Sequence, residues 1–298
     1  MIRYTAFCKI LECGSFTKAA EALGYTQAAI SQMIRSLEAE FSLTLLTRTR
    51  TGIRLTREGE ELYPLIQKCV LVHRELHDRV GEIRGLTSGE IRIGTFSSMS
   101  QRLLPGVMSD FSLEYPGIRI VLSPGDNTTL PERIRAGLID FGFVYPAAAT
   151  GLTVLPFAQD EFRAVFAEHH PYASKSSVSL AALAEEPLIV VEEGGINTVL
   201  GAFEKANLSP NVKFRIHDDY TILSMVETGI GVSILPAMLL NRADAYRIKT
   251  VPIEAPVRRT VGIAFQREEL LPISAKRFIH FLLDNISRYL PAEYRIQP

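Results

Sequence analysis

Seven residues set the frame for this chain. Leu62, Ile66, Cys69, His73, Leu76, Val80 and Ile83 recur at spacings of 4, 3, 4, 3, 4 and 3. That is the a/d pattern of helices that pair lengthwise. Thr56 stands where an N-cap is needed, so the spacing predicts one long helix from about Arg57 to Arg84. Its apolar stripe is covered either by the chain's own body or by the same helix of a second copy. Pro64 falls inside the segment and predicts a kink or a late start. His73 reads as a register- or pH-sensitive group, or as a partly solvated seam residue. Cys69 reads as one half of an inter-subunit disulfide or, in a reducing compartment, as a small apolar filler.

The helix separates a short head from a long body, and 298 residues suit two or three domains. Charge divides the same way. Residues 1–57 hold eight basic groups and four acidic ones, a net of +4, which leaves −5 for the rest of a chain whose total is −1. A basic head on an acidic body points to a polyanionic partner for the head.

The head reads as helix, turn, helix, turn, helix. Ala6, Phe7, Ile10 and Leu11 line one face of a helix over Ile2–Cys13, which Gly14 ends. A short helix over Thr17–Leu23 follows, with Ser15 beside its start, and Gly24-Tyr25 makes a tight turn. Thr26 is placed to cap a third helix, Gln27–Phe41, whose Ile30, Ile34, Leu37 and Phe41 form the packed face. Gln27, Ser31 and Arg35 recur every four residues on another face, with Ala28 and Gln32 beside them. Gln pairs with adenine and Arg with guanine or phosphate, so this face suits a major groove. The alternative is an ordinary solvated helix face. Then Arg48-Thr49-Arg50-Thr51-Gly52-Ile53-Arg54-Leu55-Thr56 reads as two short strands around a turn. Arg48, Arg50 and Arg54 make it a basic hairpin, a wing whose arginines reach phosphates or the minor groove.

Phe7, Glu12, Gly14-Ser15-Phe16-Thr17, Ala19-Ala20, Leu23, Gln27, Ser31, Ile34, Leu37-Glu38, Leu45-Leu46, Arg48, Leu55-Thr56 and Gly59 together resemble the N-terminal signature of the LysR-type transcriptional regulators. The chain departs from that pattern at Ala28, where the family often has proline, and at Leu46, where phenylalanine is common. The resemblance implies a homodimer or homotetramer on double-stranded DNA, held by the long helix. RNA polymerase is expected as a further partner.

Strand and helix signals alternate through the body, which implies a largely parallel sheet with helices on both faces. Strands are predicted at Glu90–Phe96, Ile118–Leu122, Phe141–Val144, Phe162–Ala167, Leu188–Val191, Val212–Ile216, Gly231–Leu235 and Val261–Phe265. Helices are predicted at Leu103–Tyr115, Leu130–Leu138, Asn197–Ala206, Tyr220–Glu227 and Ser274–Leu290. Ile91-Arg92-Ile93-Gly94, Ala136-Gly137-Leu138-Ile139-Asp140 and the run Val226–Pro236 resemble the family's effector domain, which has the fold of type 2 periplasmic binding proteins. The expected organisation is a mostly α winged helix-turn-helix over 1–57, a linker helix over 58–88 and an α/β two-lobed effector domain over 89–298. Lobe I covers about 89–162 and 266–298, lobe II about 163–265. The resemblance places the hinge near Arg163 and Phe265.

Ligands of open α/β sheets bind where strands end and helices begin. Thr95, Ser97 and Ser98 follow the first strand of the body, Asn127 and Thr128 the second. Asn197, Thr198 and Tyr220 open helices of the other unit. Each alone reads equally as a helix cap. As a group they predict a site for a small organic effector, an anion or a neutral or zwitterionic molecule. Those segments hold no lysine, and Arg102 is the only arginine near them in sequence.

Other classes fit less well. His169-His170 and His217-Asp218-Asp219 are the only clusters that invite catalysis, and no nucleophile elbow, phosphate loop or metal motif accompanies them. No enzyme activity, metal or cofactor is expected. Cys8, Cys13 and Cys69 form no disulfide framework, and residues 90–298 contain no cysteine, against a thiol-based redox sensor. The opening MIRYTAFCKILECGSF is not a signal peptide, against a periplasmic solute carrier. No segment approaches the roughly 20 apolar residues of a membrane span. A cytoplasmic location without membrane partners is expected.

Overall fold

The computed structural model describes residues 1–49, 52–83, 89–241 and 243–296. Arg50, and the side chains of Arg48 and Ile83, lie outside the described residues.

Three helices build the head: α1 (Ile2–Cys13), α2 (Phe16–Leu23) and α3 (Gln27–Phe41). Gly14 and Gly24 end the first two at φ 60° and 72°, a left-handed conformation that glycine adopts without strain. The Ser15 and Thr26 hydroxyls accept from the Lys18 and Ala29 amides and so cap α2 and α3. Phe7, Ile10, Ile30 and Leu37 are fully buried between the helices. The wing is an antiparallel pair, β1 (Leu46–Thr49) and β2 (Gly52–Leu55). The Glu38 carboxylate ties it to α3 by accepting from the Leu45 amide at 2.7 Å and the Leu46 amide at 3.2 Å.

Helix α4 (Arg57–Ile83) is continuous through Pro64. Its seam differs from the predicted one. Ile66 is buried in the head, Leu62 packs beside it, and Tyr63 meets the Phe7 ring edge-on at 6.0 Å. Three short helices leave their core open on one side, and the first turns of α4 close it. Leu62 and Ile66 therefore serve the head and not a lengthwise partner. His73 is half-buried and lies 4.5 Å from the His77 ring. The exposed apolar stripe runs through Leu65, Cys69, Val72, Leu76 and Val80, with Leu65 and Leu76 each 60% exposed. Among the described residues, Cys69, Leu76 and Val80 are shared with the predicted seam.

Among the described residues nine strands form the body sheet: β3 (Gly89–Thr95), β4 (Ile118–Pro124), β5 (Phe141–Val144), β6 (Thr153–Ala167), β7 (Leu188–Val191), β8 (Val212–Ile216), β9 (Val232–Pro236), β10 (Ile248–Pro252) and β11 (Arg258–Phe265). Their order is β4-β3-β5-β11-β6-β9-β7-β8, with β10 also on β6. Parallel ladders join β3 to β4 and β5, and β7 to β8 and β9. Antiparallel β6 and β11 connect the two sets. The first part of β6 pairs β11, and its second part pairs β9 and β10. Lobe I thus ends at Glu161, where the chain passes into lobe II. The return crossing comes before Arg258, not at Phe265, because all of β11 pairs with lobe I strands.

In lobe I, α5 (Ser97–Arg102), α6 (Leu104–Glu114), α7 (Thr129–Arg135), α12 (Ile273–Asp284) and α13 (Ile286–Tyr289) cover the sheet. Phe111, Phe141, Phe143 and Phe278 are fully buried there. In lobe II the helices are α8 (Leu180–Glu185), α9 (Thr198–Lys205), α10 (Asp219–Glu227) and α11 (Ala237–Leu240), around Phe166, Phe203 and Leu235. The linker is fastened to lobe I. The buried Asp140 carboxylate accepts from Arg74 at 2.8 and 3.2 Å, from the Arg92 guanidinium at 2.8 Å and from the Arg92 amide at 2.7 Å. Gln67, about two turns before Arg74 on α4, donates to the Ala136 carbonyl.

Candidate functional site

The carboxyl ends of the parallel strands face one another across the lobes and enclose a cavity of about 500 Å³, within the size range of small-molecule sites. Thr95, Ser97 and Ser98 at the end of β3 form one wall with Asp126 and Asn127 beyond β4. Opposite stand Glu192 and Glu193 after β7, and His217, Asp218, Asp219 and Tyr220 after β8. Tyr145 and Arg259 lie at the base.

Arg259 organises this base. It faces Asp160 directly in the β6–β11 ladder, so the two side chains leave the sheet together. Its Nε and Nη2 donate to Asp160 Oδ2 at 3.2 and 2.7 Å, Nη2 also to Ser98 Oγ at 2.8 Å, and Nη1 to Tyr145 Oη at 2.6 Å. The rings of Phe96, Tyr145 and Phe162 surround it at 5.3–5.5 Å, a cation–π setting. Burial would favour the neutral guanidine. The surrounding Tyr145, Asp160 and Glu193 outweigh that and hold it charged. Tyr145 in turn donates to Glu193 Oε1 at 2.9 Å. Burial pushes the Tyr145 phenol well above its usual range, so it remains a donor. The relay Arg259–Tyr145–Glu193 spans both lobes.

Two carboxyls in the cavity are held above their ordinary values. Burial is the main cause for Glu193, reinforced by Asp219 and opposed by Arg259 and Tyr145. Burial also raises Asp219, against a hydrogen bond from Ser97 and the charge of Arg259. Asp126 and Asp218 behave otherwise. Each is a helix-start acceptor, Asp126 for the Thr128 and Thr129 amides and Asp218 for Thr221, and these bonds lower both despite partial burial.

The lobes touch at the cavity's edge. The Asn127 amide donates to the Glu193 carbonyl at 3.1 Å, the Gly195 amide to Thr128 Oγ1 at 2.8 Å, and Asn127 Nδ2 to the Ile196 carbonyl at 3.3 Å. These bonds form a latch. Of the predicted effector contacts, Thr95, Ser97, Ser98, Asn127 and Tyr220 line the cavity. Thr128, Asn197 and Thr198 do not. Thr128 belongs to the latch, Asn197 caps α9 through the Leu200 amide at 3.0 Å, and the Thr198 amide serves Glu193. Arg102 does not line the cavity either, whereas Arg259, 161 residues beyond Ser98 in sequence, does. His217 lines it as well. One signal in the sequence points to Arg259. It alternates with Val257, Val261, Ile263 and Phe265 on the buried face of a strand, and a buried charge needs a partner.

On the head, Gln27, Ala28, Gln32 and Arg35 are exposed along α3, and Ser31 is half-buried. Gln27 Nε2 donates to Ser31 Oγ at 3.0 Å. Gln27, Ala28, Ser31 and Arg35 edge a shallow groove with Leu46 of the wing, and Arg54 is exposed on β2. Burial pushes the Cys8 thiol up to about 12, with Glu12 adding to the effect, so it is an inert core group. Among the described residues no cluster of three His, Cys, Asp or Glu could hold a metal ion, and no helix is long and apolar enough to cross a membrane.

Two family models match: the bacterial regulatory helix-turn-helix protein of the lysR family over residues 3–60, and the LysR substrate binding domain over residues 84–287. The uncharacterized HTH-type transcriptional regulator YvbU of Bacillus subtilis is 31% identical, over 92% of this chain and 94% of that protein. Full-length OxyR from Pseudomonas aeruginosa shares the fold at a TM-score of 0.77 and 22% identity, over 99% of this chain and 97% of its own. Full-length CbnR complexed with its target DNA matches at a TM-score of 0.62 and 22% identity, over 97% and 99% of the two chains. A head with a capped reading helix and wing, a fastened linker and a two-lobed cavity thus stand in the order both matches require, and the chain belongs to the LysR family of transcriptional regulators.

Proposed function

We propose that this regulator binds DNA as a symmetric homo-oligomer and changes its DNA affinity when a small effector occupies the cavity between the lobes. The observation that carries the reading is the Arg259–Tyr145–Glu193 relay, which joins both lobes around about 500 Å³ of space. An effector there contacts both lobes and favours one arrangement of them, which is the thermodynamic requirement for control. DNA contact falls to Gln27, Ser31 and Arg35 in the major groove and to Arg54 at the backbone, and the CbnR–DNA likeness supports that use of the head. The exposed stripe Leu65, Val72, Leu76 and Val80 is the surface for a second copy. The protein works by binding and not by catalysis, in the cytoplasm, with RNA polymerase as the partner of the DNA-bound form. Footprinting on the DNA upstream of its own gene tests the reading. A protected palindromic site that Gln27→Ala fails to discriminate from random DNA is expected. Equal loss by that variant on specific and random DNA would remove the base-reading role.

A further inference from the structure

We infer that the effector carries a cationic amino group, which it places between Glu193 and Asp219. The inference rests on the reading of the cavity as the effector site and adds the charge of its occupant.

The charged groups that face the cavity decide the charge of its occupant. Its guanidinium, Arg259, is already neutralised by Asp160 and donates to Asp160, Ser98 and Tyr145 at once. Among the described residues no lysine lines the cavity. Asp126 and Asp218 are occupied by helix-start amides and hydroxyls. Glu192 has Arg215 at 3.9 Å, and His217 Nδ1 lies 3.2 Å from the Glu192 carbonyl. Among the described residues two carboxyls, Glu193 and Asp219, are left to share only the charge of Arg259, which Asp160 already engages. Asp219 is 8% exposed and meets the Ser97 hydroxyl. Glu193 has Oε1 on Tyr145 and the Thr198 amide beside its carboxyl, while Oε2 is buried and makes no hydrogen bond of normal geometry among the described residues. A buried acceptor left in that state is costly. The two carboxyls also repel each other, and burial favours the proton on each.

An ammonium group answers both features. It brings three donors and one positive charge on a small radius, enough for Glu193 Oε2 and for Asp219 together. A carboxylate ligand would enter a buried site that has two carboxyls to repel it and a guanidinium already engaged. A neutral ligand would leave the two carboxyls uncompensated. Among the described residues a bare metal ion lacks the oxygen cluster it needs. The hydroxyls of Thr95 and Ser97, with the Asn127 amide, remain for the polar remainder of the molecule.

Calorimetry on the full-length protein with four probes of one carbon skeleton tests this: butylamine, 1,4-diaminobutane, butanol and butyrate at millimolar concentration. Both amines bind, butanol and butyrate do not, and hydrogen exchange slows at residues 126–129 and 193–198 when an amine is added. Glu193→Gln and Asp219→Asn each weaken amine binding by about tenfold or more, the loss expected for a charge-assisted contact. The comparison of probes on the unaltered protein needs neither variant to fold. Butyrate binding with slowed exchange at those loops, and silence from the amines, would overturn the inference and leave the cavity as the effector site. Amine binding that leaves both loops unprotected would overturn the inference and the cavity reading together. Silence from both amines without any butyrate response would also overturn it.

Discussion

Replacing Arg259 with methionine is the sharpest test of how the cavity is built. The substitution keeps most of the side-chain volume and removes the charge. Asp160, 3% exposed, then keeps one donor, the Met238 amide at 3.2 Å. Ser98 and Tyr145 each lose their guanidinium partner. Breaking a buried pair by removing one member costs about 3–5 kcal/mol, since the remaining charge stays desolvated. For a domain of this size each kcal/mol moves the melting temperature by about 2–4 °C, so Arg259→Met lowers the effector-domain transition by about 6–20 °C. Asp160→Asn placed on top of it removes the orphaned charge and keeps the acceptor for Met238. The double variant recovers more than half of the loss. Differential scanning calorimetry of wild type, both single variants and the double variant provides the cycle. Additive losses, or a single Arg259→Met variant that melts with wild type, would show that Asp160 and Arg259 are not an energetic unit.

The two parts of α4 separate by mutation. Ile66→Ala opens a cavity in the head and costs about 2–5 kcal/mol of head stability, whereas Leu76→Glu, on an exposed position, leaves the monomer's melting intact and shifts sedimentation toward the monomer. Unchanged sedimentation of Leu76→Glu would rule that stripe out as the contact between copies. Gly194→Ala places a Cβ 2.5 Å from Thr128 Oγ1 at a φ of 81°. It costs about 1–2 kcal/mol in backbone strain alone and breaks the latch, so exchange at residues 126–129 and 193–198 accelerates. Gln27→Ala loses about 1–3 kcal/mol of discrimination between specific and random DNA, read by competition binding, while Arg54→Ala weakens all sequences alike and flattens the salt dependence.

Local signals carried the head. Gly14, Gly24, Ser15 and Thr26 act within four residues of themselves, and the three helices lie where those residues place them. The short apolar strands Leu188–Val191 and Phe141–Val144 were equally legible. Only the end of β6, Phe162–Ala167, was legible, since Pro156 and the run Gln159-Asp160-Glu161 interrupt the apolar pattern of the part before it. Asp160 is tolerable inside a strand only because Arg259, 99 residues later, faces it across the ladder. The same distance hid the charged base of the cavity, while its hydroxyls, set beside their own strand ends, were readable. Periodicity along α4 announced that stripes exist, but three surfaces compete for them: the head at Leu62 and Ile66, lobe I at Gln67 and Arg74, and the open side at Leu65, Val72 and Leu76. A spacing of three and four cannot assign each stripe to its neighbour.

The pH dependence of stability tests the carboxyl pair without any ligand. Glu193 is faced by Arg259 from β11, Tyr145 beyond β5, Asp219 of α10 and the Thr198 amide of α9, and burial prevails, so its folded pKa lies above the ordinary 4.5. Asp219 lies above its ordinary 3.8, again through burial. A carboxyl whose folded pKa exceeds its unfolded value keeps its proton longer in the native state. Between the two values the native state binds more protons, so stability falls as pH rises and the penalty is complete above the folded pKa. Asp126, Asp218 and Glu227 act in the opposite sense, because hydrogen bonds lower them. Their contribution is present above the unfolded values and is lost only as pH falls below 3.8 for the aspartates and 4.5 for Glu227. The windows overlap only between pH 3.8 and 4.5, where Asp219 and Glu227 oppose each other. From pH 4.5 toward neutrality the melting temperature of the effector domain declines through Glu193 and Asp219, and Glu193→Gln makes that limb flatter while leaving the acid limb unchanged. Butylamine, if it occupies the pair, makes the same limb flatter in the unaltered protein, since the ligand's charge replaces the missing cation. Identical slopes for wild type and Glu193→Gln above pH 4.5 would mean that Glu193 is solvated enough to ionise freely, and the electrostatic case for an amine at this position would fall with it.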